Sequence, residues 1–225
     1  MIGICIPAHN EETGIERCLA SIQKASAHPA LKNEKVLTAL VLDRCSDKTE
    51  ERARRWDIDV LHVTCRNVGM ARAAGANHLI QAGARWLAFT DADTAVCEWW
   101  LVHQLSLNAS VVCGTVGVTG WEQHGRHAHK VRGHFQATYR DRDGHRHVHG
   151  ANLGICSTAY LRAGGFRPLP CHEDRDLVER LVHAGATIAW SALPRVTTSA
   201  RPYSRVDEGF AAALRAGRDR GGKAA

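Results

Sequence analysis

Apolar runs alternate with amphipathic segments along the first half of the chain. Short apolar runs at 2–6, 36–42, 60–63 and 86–90 predict strands. The segments between them predict helices at 12–25, 47–55 and 68–82; the first carries Ile15, Cys18, Leu19 and Ile22 at the helical period. This alternation predicts an α/β fold with a mostly parallel sheet that helices cover on both faces.

The second half has a different pattern. Residues 111–119 predict another strand, whereas 121–150 is polar, contains seven histidines and predicts a loop. Apolar order returns at 151–156 and is followed by a helix start and a turn at Gly164-Gly165-Phe166. A helix is predicted at 173–184 and strands at 187–192 and 196–199. We expect one domain over 1–216, with halves at about 1–119 and 120–216, and a disordered tail at 217–225.

Composition narrows the class of protein. The chain has 225 residues, of which 44% are hydrophobic and 23% charged, as in ordinary globular domains. Its net charge of +6 suits an anionic ligand, but basic and acidic residues are interleaved, so no nucleic-acid partner is expected. The eight cysteines are scattered singly without a CxxC pair, which favours reduced thiols and a cytoplasmic location. No run of about 20 apolar residues predicts a membrane-spanning segment, and the N-terminus has no signal-peptide pattern.

Four polar clusters follow predicted strands, at 7–12, 43–47, 66–72 and 91–93. Ligands of parallel α/β sheets bind at the carboxyl ends of the strands, so we expect these clusters to meet at one edge. Asp91 and Asp93 could share a divalent cation there, or could form a turn that caps the next helix.

Each of the other clusters also allows a structural interpretation. Asn10 or Glu11 could cap a helix after a strand that ends at Pro7, and Ser46 or Asp47 could cap the next one. Asp43 could accept hydrogen bonds from a base or a ribose. Arg72 could meet a phosphate or belong to an Ala-rich packing helix. Further along, Glu173 and Asp174 could complement a helix dipole or take a proton from an attacking hydroxyl.

Taken in order, the motifs resemble one known family. PAHNE, LDRCSD, NVGMARAAG, DAD, GANLGICS with AGGF, and HEDRDLVERL resemble a family 2 inverting glycosyltransferase with the GT-A fold, a Rossmann-like, mostly parallel mixed sheet flanked by helices. The resemblance spans about residues 4–210. It implies that a nucleotide-diphosphate sugar contacts the chain through its base and ribose at Pro7, His9, Asn10, Glu11 and Asp43.

The resemblance also implies roles in transfer. Arg72 would lie near the diphosphate, Asp93 would bind Mn²⁺ or Mg²⁺, and Asp91 would touch the metal or the ribose. The segment from Gly150 to Asn152 would face the donor sugar and a hydroxyl-bearing acceptor. One of the acidic pair, Asp174 rather than Glu173, would be the general base.

Two departures from the family pattern stand out. Only one acid, Asp43, follows the second strand, where tandem acids are common in the family. The QxxRW element of processive synthases is missing, and Arg201 and Arg205 are left as candidates to meet the diphosphate.

Alternatives to sugar transfer remain open. A nucleotidyltransferase of similar fold would carry a Gly-rich loop after the first strand, where this chain has PAHNEE. A non-catalytic sugar-nucleotide sensor or metal carrier is a second alternative. The alternating histidines at 127 and 129 and at 145, 147 and 149 would then hold zinc, or would simply mark a solvated loop. For an enzyme, a protonatable loop here would suit a hydroxylated or anionic acceptor.

Overall fold

A single eight-stranded sheet runs through the protein in the computed structural model, which describes residues 1–202 and Leu214. Along the sheet the strands follow the order β3-β2-β1-β4-β7-β6-β8-β5. They are β1 (Ile2–Ala8), β2 (Val36–Asp43), β3 (Asp59–Val63), β4 (Trp86–Phe89), β5 (Ala95–Val96), β6 (Val111–Thr119), β7 (Leu153–Cys156) and β8 (Ile188–Ser199).

The first half of the sheet is parallel, as the sequence predicts. β1 pairs in parallel with β2 and β4, and β2 with β3. Every residue of β1 is buried, because helices cover both faces of the sheet at this strand. β1 extends one residue past Pro7, which pairs with Val41, so the prediction that Pro7 ends the strand is wrong by one position.

The second half of the sheet is mixed. β7 runs antiparallel to both β4 and β6, while β8 is parallel to β6 and antiparallel to the two-residue edge strand β5. Two late strands were expected where β8 is continuous. The register jumps from Gly114–Ser191 to Thr115–Arg195, so β8 accommodates three extra residues as an irregularity instead of ending there.

Seven α-helices pack on this sheet within the described residues. They are α1 (Ile15–Ser26), α2 (Thr49–Ala53), α3 (Val68–Gln81), α4 (Trp100–Ser106), α5 (Ala128–Thr138), α6 (Ser157–Arg162) and α7 (Glu173–His183). One core cluster includes buried residues of α1 and α4, and the other includes those of α3, α6 and α7, so both faces are covered. Gly75 permits the close approach of α3, since a Cβ there would lie 2.5 Å from the Sγ of Cys5 and 2.9 Å from Val41.

The polar stretch 121–150 is not all loop, and that prediction is wrong in part. A 3₁₀ helix spans Trp121–His127 and leads into α5. Only Val131 of α5 is fully buried, against Ala200 and Leu214. The apolar signal of the helix is therefore too weak to predict it from periodicity.

Two remaining expectations concern the whole chain. Within residues 1–202 and at Leu214, no helix is both long and apolar enough to cross a bilayer. The tail expected at 217–225 lies outside the described residues.

Candidate active site

The loops that follow β1 and β2 are joined by hydrogen bonds. His9 Nδ1 lies 2.6 Å from the carbonyl oxygen of Asp43. Asn10, whose φ is 54°, accepts hydrogen bonds through Oδ1 from the backbone N–H of Ser46 at 2.8 Å and of Asp47 at 3.3 Å. The first two polar clusters therefore form one continuous surface at the carboxyl ends of neighbouring strands.

Helix capping in this region differs from the expectation. α1 begins after Gly14 with no side-chain cap, so neither Asn10 nor Glu11 caps it. Asp47, in contrast, accepts the backbone N–H of Thr49, the first residue of α2, at 3.0 Å and that of Glu12 at 2.9 Å. Asn10 is used instead to shape the loop after β2.

Asp43 is buried at the end of β2 and organises the start of α3. Its Oδ1 accepts the backbone N–H of Arg66 and its Oδ2 that of Asn67, both at 3.0 Å. Asn67 in turn caps α3 by accepting the N–H of Met70 at 2.9 Å. Each oxygen of Asp43 keeps further acceptor capacity, since a carboxylate oxygen has two lone pairs.

Arg72 lies at the centre of the site. Its side chain is only 5% exposed; it donates to Asp91 Oδ1 at 2.6 Å through Nη2 and forms a short ion pair with Glu173 through Nη1. Burial alone would lower the pKa of Arg72, but the charges of Asp91 and Glu173 raise it, so the guanidinium stays charged. Arg72, on α3, thus joins the turn after β4 to the start of α7, and the hydrogen bonds of its guanidinium go to two carboxylates.

Asp174 is tied to the same centre through the backbone. Its Oδ2 accepts the N–H of Gly150 at 2.8 Å, and its Oδ1 accepts the N–H of Arg175 at 2.8 Å. Gly150 packs directly on Arg72, because a Cβ at Gly150 would lie 2.5 Å from the guanidinium carbon. Of the two acids, Asp174 is half-buried, whereas Glu173 is buried and paired with Arg72.

Asp93 lies on the other side of Asp91, against β8 and the segment after it. Its Oδ1 is 3.3 Å from the hydroxyls of Thr94 and Thr198, and its Oδ2 is 3.4 Å from Arg201 Nη2. Arg201 also donates to Glu11 Oε1 at 2.8 Å. Burial would lower the pKa of Arg201, but the charges of Asp93 and Glu11 raise it.

Sequence reasoning did not find two of these contacts. Thr198 lies 105 residues from Asp93, and nothing in its neighbourhood along the chain marks it as part of a site. The bridge from Arg201 to Glu11 spans 190 residues. Arg205, the other arginine considered for the diphosphate, lies outside the described residues.

The carboxylates present suit a hard divalent cation. Asp91 and Asp93 offer oxygen ligands, which Mg²⁺ and Mn²⁺ prefer, and the Asp91 side chain is 37% exposed. Within residues 1–202, no group of three or more His, Cys, Asp or Glu side chains is arranged to hold a metal ion. The described side chains alone therefore do not form a complete coordination shell around this pair.

Asn152 is placed differently from the other expected donor contacts. It is fully buried; its Nδ2 donates to the carbonyls of Thr115 at 2.8 Å and Pro194 at 2.5 Å, and its Oδ1 accepts from Trp100 Nε1 at 2.9 Å. The side chain therefore links β6, β8 and α4, and it presents no surface to a sugar in this structure.

The three histidines at 145, 147 and 149 are buried or half-buried, and hydrogen bonds hold their rings in place. His145 donates through Nε2 to the Cys113 carbonyl at 3.0 Å and accepts the N–H of His147 at Nδ1. Tyr139, whose hydroxyl accepts from the N–H of Val116, is left to donate to His149 Nε2 at 3.0 Å. Burial lowers the pKa of all three, that of His149 to about 3, so these side chains are uncharged near neutral pH. At these three positions the structure therefore does not provide the protonatable side chains that were expected.

Residues 3–163 match the glycosyl transferase family 2 profile, and because this is well over half of the chain, the protein belongs to glycosyl transferase family 2. Its GT-A fold is similar to that of S. aureus TarS 1–349 in complex with UDP-GlcNAc, at a TM-score of 0.69 and 15% identity over 93% of this chain and 61% of that one. The mannosyltransferase PcManGT from Pyrobaculum calidifontis, in complex with GDP-Man and Mn²⁺, is similar at a TM-score of 0.62 and 17% identity over 96% of this chain and 60% of that one. The chain thus spans about three fifths of the length of these structures. Among curated proteins, none matches the chain.

Proposed function

We propose that this protein transfers a sugar from a nucleotide-diphosphate sugar to a hydroxyl group of an acceptor, with inversion at the anomeric carbon and with Mn²⁺ or Mg²⁺ as cofactor. The observation that carries the proposal is the connection of Asp174, through Gly150 and Arg72, to Asp91 at the edge of the sheet. In a chain of glycosyl transferase family 2, this connection joins the proposed base to the proposed donor site.

The donor would lie across the carboxyl ends of β1, β2 and β4. Pro7, His9, Asn10, Glu11 and Asp43 would surround the base and the ribose. The linked loops after β1 and β2, and the remaining acceptor capacity of Asp43, support this assignment. TarS was solved with UDP-GlcNAc and PcManGT with GDP-Man, and both ligands belong to the donor class proposed here.

Asp93 and Asp91 would hold the divalent cation. When bound, the cation supplies charge neutralisation to the diphosphate leaving group. Arg201 lies beside Asp93 and keeps its positive charge, and it would contact diphosphate oxygens together with the metal ligands.

Asp174 would act as the general base. Its carboxylate takes the proton of the acceptor hydroxyl while the oxygen attacks the anomeric carbon. The bond from that carbon to the diphosphate breaks on the opposite face, which inverts the configuration. Glu173 is paired with Arg72 and would position that guanidinium, and through it Gly150 and Asp174.

Substitution of the two acids tests these roles. Asp174→Asn should lower kcat by about 10²–10⁴-fold, because general-base catalysis contributes that much, while nucleotide affinity changes little. Asp93→Ala should lower both turnover and metal-dependent nucleotide affinity, since only this change removes a metal ligand. Release of the nucleoside diphosphate measures turnover, isothermal titration measures affinity, and NMR of the product sugar reports its anomeric configuration.

The exposed Asp57 provides a matched control, because Asp57→Asn removes a carboxylate from outside the site. Equal loss of nucleotide binding in Asp174→Asn and Asp93→Ala would contradict the division of roles. Tight binding of nucleotide sugars without any transfer or hydrolysis would instead favour a non-catalytic binding protein.

A further inference from the structure

A concave region beside α7 is lined by residues other than those assigned to the donor. It is a cavity of about 290 Å³ between the segment 146–149, α7 and β8. We call it the cationic cavity; its polar and aromatic lining comprises Arg146, His147, Arg175, Glu179 and Trp190. None of these residues has a role in the donor site described above.

The cavity carries two unpaired positive charges. Arg146 and Arg175 are both exposed, and neither forms an ion pair with any residue that the structure describes. The guanidinium of Arg146 lies 5.3 Å from the ring centroid of Trp190, and this cation–π contact orients the Arg146 side chain. Arg175 is one helical turn from Glu179, a spacing at which arginine and glutamate often pair, yet this pair does not form here.

The other titratable groups that line the cavity leave the net charge of its lining positive. Glu179 is the one acid among the lining residues. Burial lowers the pKa of His147 and His149, so neither histidine adds charge near neutral pH. Counted over the lining residues, two arginines against one glutamate leave a net positive charge beside a half-buried tryptophan.

The cavity is also next to the proposed base. Arg175 directly follows Asp174, and its backbone N–H donates to Asp174 Oδ1. On the opposite wall, the residue after His149 is Gly150, which donates to Asp174 Oδ2. Two segments that line the cavity, the one ending at His149 and the start of α7, are therefore joined to Asp174 by backbone hydrogen bonds from neighbouring residues.

We propose that the cationic cavity binds an anionic group of the acceptor, a phosphate or a carboxylate, and so selects negatively charged hydroxyl compounds as sugar acceptors. This inference rests on the proposed function for its place in catalysis. The planar guanidinium of arginine matches the oxygens of both groups with two parallel hydrogen bonds. The charge that attracts such an acceptor thus comes from arginines, whereas the sequence alone suggested histidines.

Binding of simple anions tests the site without any donor. Inorganic phosphate and acetate are titrated separately, and binding is followed by ¹H–¹⁵N NMR of the arginine Nε–H groups and the backbone. Arg146→Gln and Arg175→Gln should each weaken binding at the cavity by about fivefold, as expected for one charge-assisted contact at a partly exposed site. Glu179→Gln should strengthen it, because the change removes a repelling carboxylate.

The opposite signs of these variants distinguish binding from a structural role. Arg162→Gln, at an exposed arginine of α6, is the matched control and should leave the titration unchanged. Loss of anion binding in all arginine variants alike, or weakened binding in Glu179→Gln, would overturn the proposal. Preference for phosphate over acetate, or the reverse, identifies which anionic group the cavity takes.

A second measurement connects the cavity to catalysis. With an active donor, the ratio of kcat/KM for a phosphorylated acceptor over that for a neutral hydroxyl acceptor should fall about fivefold in Arg175→Gln. An unchanged ratio would refute acceptor selection by this cavity. Failure of sugar transfer in the native protein would instead refute the proposed function, and the anion titration would still report on the cavity itself.

Discussion

Arg72 is the residue on which the site depends most. It is almost fully buried, and its two carboxylate partners come from the end of β4 and the start of α7. Removing one partner of a buried ion pair costs more than the pair itself contributes, because the remaining charge is left without compensation in a poorly solvated place.

We therefore expect Arg72→Leu to destabilise the fold by about 3 kcal/mol, since it leaves the Glu173 carboxylate buried and unpaired. Arg54→Leu is the matched control, because Arg54 also forms an ion pair, with Glu50, but its side chain is 74% exposed. That change should cost less than about 1 kcal/mol. Urea unfolding followed by circular dichroism measures both; equal losses would show that the Arg72 network does not stabilise the native state.

A substitution at Gly150 tests the packing around Arg72 by adding a single carbon atom. An added Cβ would meet the guanidinium of Arg72, which is held by two carboxylates and has no free direction in which to move. Gly150→Ala should cost about 1–3 kcal/mol as overpacking and should also lower turnover, because it separates Arg72 from Asp174.

Gly133 is the control for this change. It is exposed within α5, and a Cβ there would meet nothing within 4 Å. Gly133→Ala should stabilise the protein by about 0.5–1 kcal/mol, because alanine favours the helical backbone. The two glycine variants should thus shift the unfolding midpoint in opposite directions, and shifts of the same sign would contradict the packing described around Gly150.

Among the elements, the parallel part of the sheet was predicted well and the histidine-rich stretch poorly. β1, β2 and β4 are largely buried runs and β3 is a half-buried edge strand, and each of the four ends within two residues of its predicted end. α5 was missed because it buries only Val131 fully, and α4 follows the DAD turn with no distinct start signal, since no side chain caps it. The position of α5 depends on burial against residues that are distant in the sequence, such as Ala200, and the local sequence pattern does not contain that information.

The candidate site also has a part that the sequence predicted and a part that it did not. Asp43, Arg72 and Asp91 were placed from their positions after strands and at a helix start, because strand ends of a parallel sheet converge. Side-chain partners across the sheet, such as Thr198 on Asp93, depend on how β8 is aligned and have no local signature. Asn152 lies two residues after Gly150 in a motif that suggested sugar contact, yet it is used to link three elements.

The segment 145–149 makes stability depend on pH. His149 has its pKa lowered by burial from 6.5 to about 3, and the neighbouring His147 and His145, with Arg175, act in the same direction. Between these pH values the unfolded chain binds a proton at His149 that the folded chain does not bind. The contribution of neutral His149 to the free energy of unfolding is therefore fully present above about pH 6.5, and it is lost as the pH decreases toward 3.

Melting temperature measured between pH 7.5 and 5 should therefore fall, and the slope should be smaller in His149→Gln, which cannot titrate in this range. Asp143, whose pKa is lowered by hydrogen bonds from Ala192 and Ser191, contributes only at more acidic pH. An unchanged slope in His149→Gln would indicate that other groups control the pH dependence.

For the molecule as a whole, charge is distributed unevenly between the site and the rest of the surface. The chain has a net charge of +6, yet six acids belong to the candidate site, and Arg72 and Arg201 form ion pairs with four of them. The six acids are Glu11, Asp43, Asp91, Asp93, Glu173 and Asp174. A diphosphate would meet repulsion at such a site unless a cation accompanies it, so donor binding and metal binding should depend on each other.

This dependence can be measured on the intact protein by thermal shift. UDP-, GDP-, TDP- and CDP-sugars are each added with and without Mn²⁺, because a ligand that binds only the folded state raises the melting temperature by mass action, by about 2.7 kcal/mol of stability at 100 times its Kd. One nucleotide should give a large shift with Mn²⁺ and a small one without it, and Asp93→Ala should remove the difference. Equal shifts with and without Mn²⁺ would mean that Arg72 and Arg201 carry the diphosphate without a metal ion, and no shift with any donor would contradict the proposed sugar transfer.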